Sequence, residues 1–198
     1  MPGRRHLVTL RKDPTMASVI DAVDSLPAYY AERSDFETAG RIIVGQQLSY
    51  KAASAIWQRV QMSCGRWTPQ NVVRFGAKRL RASGLSGSKA CFILDIAEAV
   101  ATKRLSFSRI RKMPDDAAAT ALSELRGFGP WSVEMFMIFA MEREDVFSSG
   151  DAGLRRAICK LYGIQKHTYD KRVEAVTDKW RPFRSYACRY LWAWLDGK

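Results

Sequence analysis

The sequence lacks any apolar run of the about 18 residues that a membrane span requires. Its N-terminal stretch, MPGRRHLVTLRKDP, is basic without a long apolar core, and is not expected to act as a secretory signal. Cysteine is sparse and scattered. Cys64, Cys91, Cys159 and Cys188 form no C-x-x-C pair. That spacing argues against zinc and against a cysteine-ligated iron–sulfur cluster, because both draw closely spaced ligands from a local loop. Isolated cysteines suit small buried positions in a reducing compartment. Period-two alternation is rare, which leaves little room for strands, and no internal repeat or low-complexity linker interrupts the chain.

What is present is the composition of a globular protein: 198 residues, 47% hydrophobic and 26% charged. This length supports one sizeable domain or two small lobes sharing a core. The net charge is +12 and is spread along the chain rather than gathered in a tail. Such a balance favours a polyanionic partner, nucleic acid or less often an anionic membrane surface. A membrane-surface role would need a basic amphipathic helix with an apolar face that the core does not use, and the sequence offers none. Arg4, Arg5, Arg11 and Lys12 could extend a nucleic-acid footprint or simply be solvated.

Helical periodicity dominates, with roughly nine or ten helices expected, so the fold class is all-α. Ser34 followed by Glu37 is a capping-box pattern opening a helix over 34–50, and 52–62 reads as the next helix. CGRWTP at 64–69 is a turn, 70–82 a short basic helix, and GLSGSK at 84–89 a loop of small residues before another amphipathic helix. Pro114, Asp115 and Asp116 start the following one, where acids suit the helix dipole. Two further helices, split at Pro182, are expected from Tyr169 to Leu195.

The stretch LRGFGPWSV at 125–133 breaks two helices with a four-residue turn. Gly127 and Gly129 permit backbone angles barred to other residues and allow close approach of another backbone. Pro130 suits the first turn of a helix, whose outward amides make an anion site without side-chain charge. The alternative is a plain connector between core helices. Twenty residues past Trp131 stands a lone acid, Asp151, in SSGDAGL. As a helix N-cap it would sit among backbone amides that suit a negative charge. Glu142, Glu144 and Asp145 read as solvated charges at a polar helix end, and Glu134 as a residue inside the helix after the turn.

Taken in order, IIVGQQLSYKAA at 42–53, GLSGSKACFILDIA at 84–97, LRGFGPWSV at 125–133, DVFSSGDAGLRRAI at 145–158 and RPFRSYACRYLWAW at 181–194 resemble the helix–hairpin–helix DNA glycosylase superfamily. The last of these is similar to the C-terminal end of its alkylation-repair branch, 3-methyladenine DNA glycosylase II. The resemblance covers roughly residues 30–195. It implies a two-lobed helical fold with the active-site cleft between lobes. Lobe one would span about 35–115 and lobe two about 1–34 plus 116–198, with the hairpin at 126–130. Longer relatives of the branch begin with a mixed α/β domain, which this chain has no room for; its absence would open the pocket.

The same resemblance implies the chemistry. Asp151 occupies the position of the catalytic aspartate, which supports hydrolysis of the N-glycosidic bond of a damaged base. Bifunctional members carry a lysine where this chain has Trp131, so a monofunctional glycosylase that leaves an abasic site is expected. Trp131, Met135, Trp192 and Gln46 would contact the base, Met135 standing where the family often has tyrosine. An electron-rich ring attracts a cationic alkylated purine such as 3-methyladenine or 7-methylguanine. The wedge that fills the gap left by an extruded base would be Gln47 or Leu48. Further DNA contacts would come from Ser86, Gly87, Ser88 and Lys89 and from the hairpin residues Arg126, Gly127, Gly129 and Ser132. No cofactor would be required, although the carbonyls of Ser123, Leu125 and Phe128 could hold a structural sodium or potassium ion. The expected partner is double-stranded DNA with damaged bases, met by a monomer in the cytoplasm, or at the nucleoid of a bacterium. The rival readings are a glycosylase for oxidised or mismatched bases and a non-catalytic helix–hairpin–helix DNA-binding protein.

Overall fold

The computed structural model describes residues 5–26 and 34–197, with the side chain of Tyr50 outside the described set. Among the described residues every regular element is a helix. The order is α1 (Arg5–Leu10), α2 (Pro14–Asp21), α3 (Asp35–Gly45), α4 (Tyr50–Cys64), α5 (Pro69–Ala82) and α6 (Gly87–Ala101). Then come α7 (Phe107–Ile110), α8 (Asp115–Ser123), α9 (Pro130–Phe139), α10 (Ala152–Tyr162), α11 (Tyr169–Thr177) and α12 (Arg184–Leu195). Short 3-10 turns at Lys166–Thr168 and Asp178–Trp180 flank α11. The all-α expectation holds; the larger number of helices comes from one-turn pieces such as α7, too short to carry a periodic signal.

Local chemistry sets most of the starts. Asp13, Ser34, Ser49, Thr68, Ser86, Ser106 and Asp151 each cap a helix by accepting a backbone N–H in the first turn. Such a side chain satisfies one of the amides every helix start leaves over. Two expectations are corrected by these caps. The helix expected over 34–50 ends at Gly45, since Ser49 starts a new one. The second half of the loop expected over 84–89 is helical, because Ser86 caps α6 and places Gly87, Ser88 and Lys89 in its first turn.

The chain divides into two compact units. One comprises the described residues 5–26 and 142–197, the other 34–141. This differs from the expected boundary near 115. The hairpin and the helices on either side of it belong with 34–141, because α9 packs on α3 and α8. Within that unit Phe136 of α9 lies 5.0 Å from Phe107 and 6.0 Å from Phe128. Arg111 ties the ends of two helices, donating to the Asp35 carboxylate and, at 2.6 Å, to the Ala140 carbonyl. Trp57, Trp67 and Phe36 pack together in this unit; the Trp57 and Phe36 ring centroids lie 4.8 Å and 5.7 Å from that of Trp67.

The first unit packs α2, α10 and α12 around Leu10, Met16, Leu154, Ile158, Tyr169, Trp180 and Leu191. At its centre is Asp13, which is buried. Its carboxylate accepts from the Thr15 amide at 3.0 Å, from the Tyr162 hydroxyl at 2.7 Å and from Trp180 Nε1 at 3.2 Å. Burial, and then the Asp13 carboxylate, push the Tyr162 phenol up. Residues 5–26 are therefore tied to the C-terminal helices by one buried carboxylate. Arg11 is engaged by Asp21 at 2.6 Å, and Arg4 lies outside the described residues.

Replacing Asp13 with alanine removes a helix cap and leaves two part-buried or buried donors without this acceptor. The expected cost is about 3 kcal/mol. That is a drop in Tm of roughly 6–12 °C for a chain of this size. Thermal unfolding of Asp13→Ala measures it, and Asp13→Asn, which keeps an acceptor, should lose less.

Candidate active site and DNA interface

The residues singled out in the sequence fall into two groups, one in each unit. In the first unit Asp151 is the N-cap of α10, and its Oδ1 accepts the Leu154 amide at 2.9 Å. The same oxygen accepts Trp192 Nε1 at 3.0 Å. Trp192 is thus more than a flat apolar surface: its indole N–H orients the acid. Gly153 keeps the space for this pair. A Cβ there would stand 3.0 Å from Asp151 Oδ1 and 3.4 Å from the Trp192 ring.

The segment leading to Asp151 is itself anchored. Arg184 Nε donates to Asp145 Oδ1 at 2.7 Å, and Arg181 donates to Asp145 Oδ2 at 2.9 Å. Ser185 closes a pair of hydrogen bonds with Val146, accepting its amide at 2.9 Å and donating to its carbonyl at 3.2 Å. The expectation that Asp145 is a solvated charge is corrected: it is the acid that pins this segment to α12. The clue in the sequence is the RPFR run at 181–184, with two arginines three residues apart.

The second unit carries the hairpin. Gly127 has φ +89, and a Cβ would lie 2.3 Å from the Phe92 ring. Both backbone and space therefore demand glycine. Gly129 differs from expectation. Its φ is −78, open to any residue, and a Cβ there would meet nothing within 4 Å. The space beside it is open. Gly129 caps α9 without a side-chain hydrogen bond, and Pro130 follows at the first helical position. Arg126 is exposed, 3.1 Å from Asp95 and with its guanidinium 5.6 Å from the Phe92 ring centroid.

In the same unit lies the turn joining α3 to α4. The Leu48 amide donates to the Gly45 carbonyl at 3.2 Å, with Gln46 at φ −52, ψ 130 and Gln47 at φ +56. This is a type II turn with glutamine where glycine or asparagine is usual. A non-glycine residue there costs about 1–2 kcal/mol. Gln47 and Leu48 are both exposed, so the turn presents both wedge candidates to solvent.

Several expected contact residues have other tasks. Gln46 Nε2 donates to the Gly127 carbonyl at 2.7 Å and to Ser132 Oγ at 2.8 Å, so its amide nitrogen braces the hairpin rather than reading a base. Ser132 is 2% exposed and Met135 5%, which leaves little of either to touch a ligand. Lys89 Nζ donates to the carbonyls of Val44 at 2.9 Å and Gln46 at 2.7 Å, in place of the expected phosphate. Burial pulls its ammonium below the usual lysine range. Ser86 and Ser88 are exposed, and Gly87 and Trp131 half-buried. The Leu125 carbonyl accepts the Phe128 amide at 2.9 Å and retains a second lone pair.

One signal lies outside any motif. Between Glu37 and Asp95 the chain carries nine lysines and arginines and no acid. Of these, Lys51, Arg66, Arg74, Lys78, Arg79 and Arg81 are exposed. A run of chain with six exposed cations and no acid is the charge pattern expected of a segment that meets a polyanion. No helix among the described residues is long and apolar enough to cross a membrane.

The second unit thus carries a turn that needs glycine at its first glycine position and a helix start without a side-chain cap, and the first unit a carboxylate held at a helix start. Residues 41–182 match the model of the HhH-GPD superfamily base excision DNA repair protein, and the chain belongs to that superfamily. More particularly, its relatives come from the alkylbase branch. It is 29% identical over 168 residues to the alkylbase DNA glycosidase-like protein mag2 of Schizosaccharomyces pombe, covering 82% of this chain and 79% of that one. Among solved structures it is similar to the DNA-3-methyladenine glycosidase of Bacillus halodurans, with TM-score 0.74, 32% identity and coverage of 95% and 88%. It is also similar to the Schizosaccharomyces pombe 3-methyladenine DNA glycosylase Mag1 in complex with abasic DNA, with TM-score 0.82, 25% identity and 95% coverage of both chains.

The two hairpin glycines should separate cleanly on mutation. Gly127→Ala is expected to lose about 2–3 kcal/mol of stability through strain and the Phe92 clash. Gly129→Ala should stay within about 0.5 kcal/mol of wild type. Denaturant unfolding of both variants tests this, and equal losses would overturn the assignment.

Proposed function

We propose that the protein is a monofunctional DNA glycosylase of base excision repair. It would extrude alkylated bases of the 3-methyladenine and 7-methylguanine type from duplex DNA and hydrolyse their N-glycosidic bond. The observation that carries this reading is Asp151, an acid capping a helix and held by an indole N–H, in a chain of the HhH-GPD superfamily. The relatives named as 3-methyladenine glycosylases support the substrate class.

In the reaction the bond from C1′ of deoxyribose to the base breaks, and its electron pair leaves with the base. A cationic alkylated purine departs neutral, so no strong general acid is needed. The sugar passes through a state of oxocarbenium character. At about 4 Å and an effective dielectric near 20, a carboxylate attracts such a cation by roughly 4 kcal/mol. That corresponds to about a thousandfold in rate. Water adds to C1′, and Asp151 accepts its proton. The Leu154 amide and Trp192 Nε1, both on Oδ1, hold the carboxylate in place for this role.

Trp131 stands where an amine would be needed for strand cleavage, which supports an intact abasic strand as product. Its ring would also stack on the extruded, cationic base. The hairpin about Gly127 and Gly129 would take a backbone phosphate at the start of α9. Gln47 or Leu48 would fill the vacated stack. The reaction requires no cofactor. The hairpin carbonyls of Ser123, Leu125 and Phe128 are a neutral oxygen set suited to a sodium or potassium ion, which would add positive charge near that phosphate. Double-stranded DNA is the partner, and the protein would act as a monomer in the compartment that holds the genome.

The experiment is base release from methylated duplex DNA, resolved by base, for wild type, Asp151→Asn and Trp192→Phe. Wild type should release alkylated purines and leave strands intact. Asp151→Asn should lose about a thousandfold in kcat. Trp192→Phe keeps an aromatic face but no donor, and should lose about tenfold in kcat with KM little changed. Full activity in Asp151→Asn would remove Asp151 from the chemistry, whereas DNA binding without base release by wild type would return the protein to the class of non-catalytic helix–hairpin–helix DNA-binding proteins. Release of only oxidised or mismatched bases would move it to another branch.

A further inference from the structure

Lys89 lies in the first turn of α6, yet its ammonium reaches the far end of α3, 43 and 45 residues earlier. The end of α3 leaves carbonyls without helical partners, and its last turn holds no basic residue. Lys89 supplies both what those carbonyls lack and the positive charge that a helix C-terminus favours. The carbonyls it takes, Val44 and Gln46, flank Gly45 at the start of the type II turn that presents Gln47 and Leu48. From the other side, the Gln46 side chain fastens the same turn to Gly127 and Ser132 of the hairpin. A glutamine at φ +56 is sustained only where its surroundings fix it, and these four hydrogen bonds do so.

We propose that Lys89 is a positioning residue: it clamps the turn 45–48 so that Gln47 and Leu48 stand preformed as the wedge, and so acts on base extrusion rather than on bond cleavage. This rests on the glycosylase reading for its consequence, though not for the clamp itself. A preformed wedge enters the stack without first losing the entropy of a disordered turn. Extrusion from a paired duplex needs that wedge, whereas a lesion already unpaired needs it far less.

The test compares wild type, Lys89→Met and Lys89→Arg on one alkylated base placed in a fully paired duplex and in single-stranded DNA. Lys89→Met should widen the ratio of single-strand to duplex kcat/KM at least about tenfold, and Lys89→Arg, which can still donate to two carbonyls, should recover most of it. Hydrogen exchange of the Leu48 amide in the free protein reads the clamp directly and should be faster in Lys89→Met. Equal losses on both substrates, with a salt dependence reduced by about one phosphate contact, would instead make Lys89 a phosphate ligand and overturn the proposal. Unchanged Leu48 exchange would overturn it as well. A wild type that releases no base from either substrate sinks the glycosylase reading, and Leu48 exchange then decides the clamp alone.

Discussion

Every helix leaves amides at its start and carbonyls at its end without helical partners. Where those groups find partners determines how this protein is built. Asp13 accepts from the start of α2 and, with the same carboxylate, draws in Tyr162 and Trp180 from the other end of the chain. Lys89 closes the end of α3, and Arg111 donates to the Ala140 carbonyl just past α9. Asp151 serves α10 in the same way. In each case a group required by secondary structure also fixes a long-range contact, so local and tertiary stability are not separable here. The start of α9 takes no side-chain cap, and it is the start placed beside the open space at Gly129. An uncapped start at an open position is where an external anion can do what serines do elsewhere.

Asp151 shows how a structural and a chemical requirement can coincide. A cap wants a short acceptor at a helix start. Chemistry at a developing cation wants a carboxylate whose orientation is settled before reaction. One oxygen meets both demands by accepting the Leu154 amide and the Trp192 indole. The glycine two residues on is part of the same arrangement, since a methyl there would press on both partners. The anchoring of Asp145 by two arginines extends the arrangement backwards along the chain.

The caps, the hairpin and the acid are legible in the sequence because each is local: a residue type at a fixed offset from a helix start. Ser34 and Asp151 are read from a few neighbours. The tasks of Gln46, Ser132 and Lys89 are not legible, because their partners lie 43 to 86 residues away. Polar residues in a basic chain read as ligands of DNA, and only the folded structure reveals that their donors are engaged internally. Gly127 and Gly129 look equivalent for a similar reason, since a glycine kept for backbone angle and one kept for open space are the same letter in one sequence. The division at 141 is not legible either, because helix periodicity reports which face is buried and not which neighbour buries it.

Charge and strain are arranged together in the second unit. The acid-free stretch from 38 to 94 contains the turn whose Gln47 sits at positive φ. A surface that draws a polyanion gains little from a turn that must be ordered after contact, because the ordering cost then weakens binding. Bracing the turn beforehand moves that cost into folding, where it is spread over a whole unit. The brace is built from one ammonium drawn from the basic surface itself and one carboxamide adjoining the strained residue. Part of the positive charge that would attract DNA is thus committed, at Lys89, to keeping ready the element that would enter it.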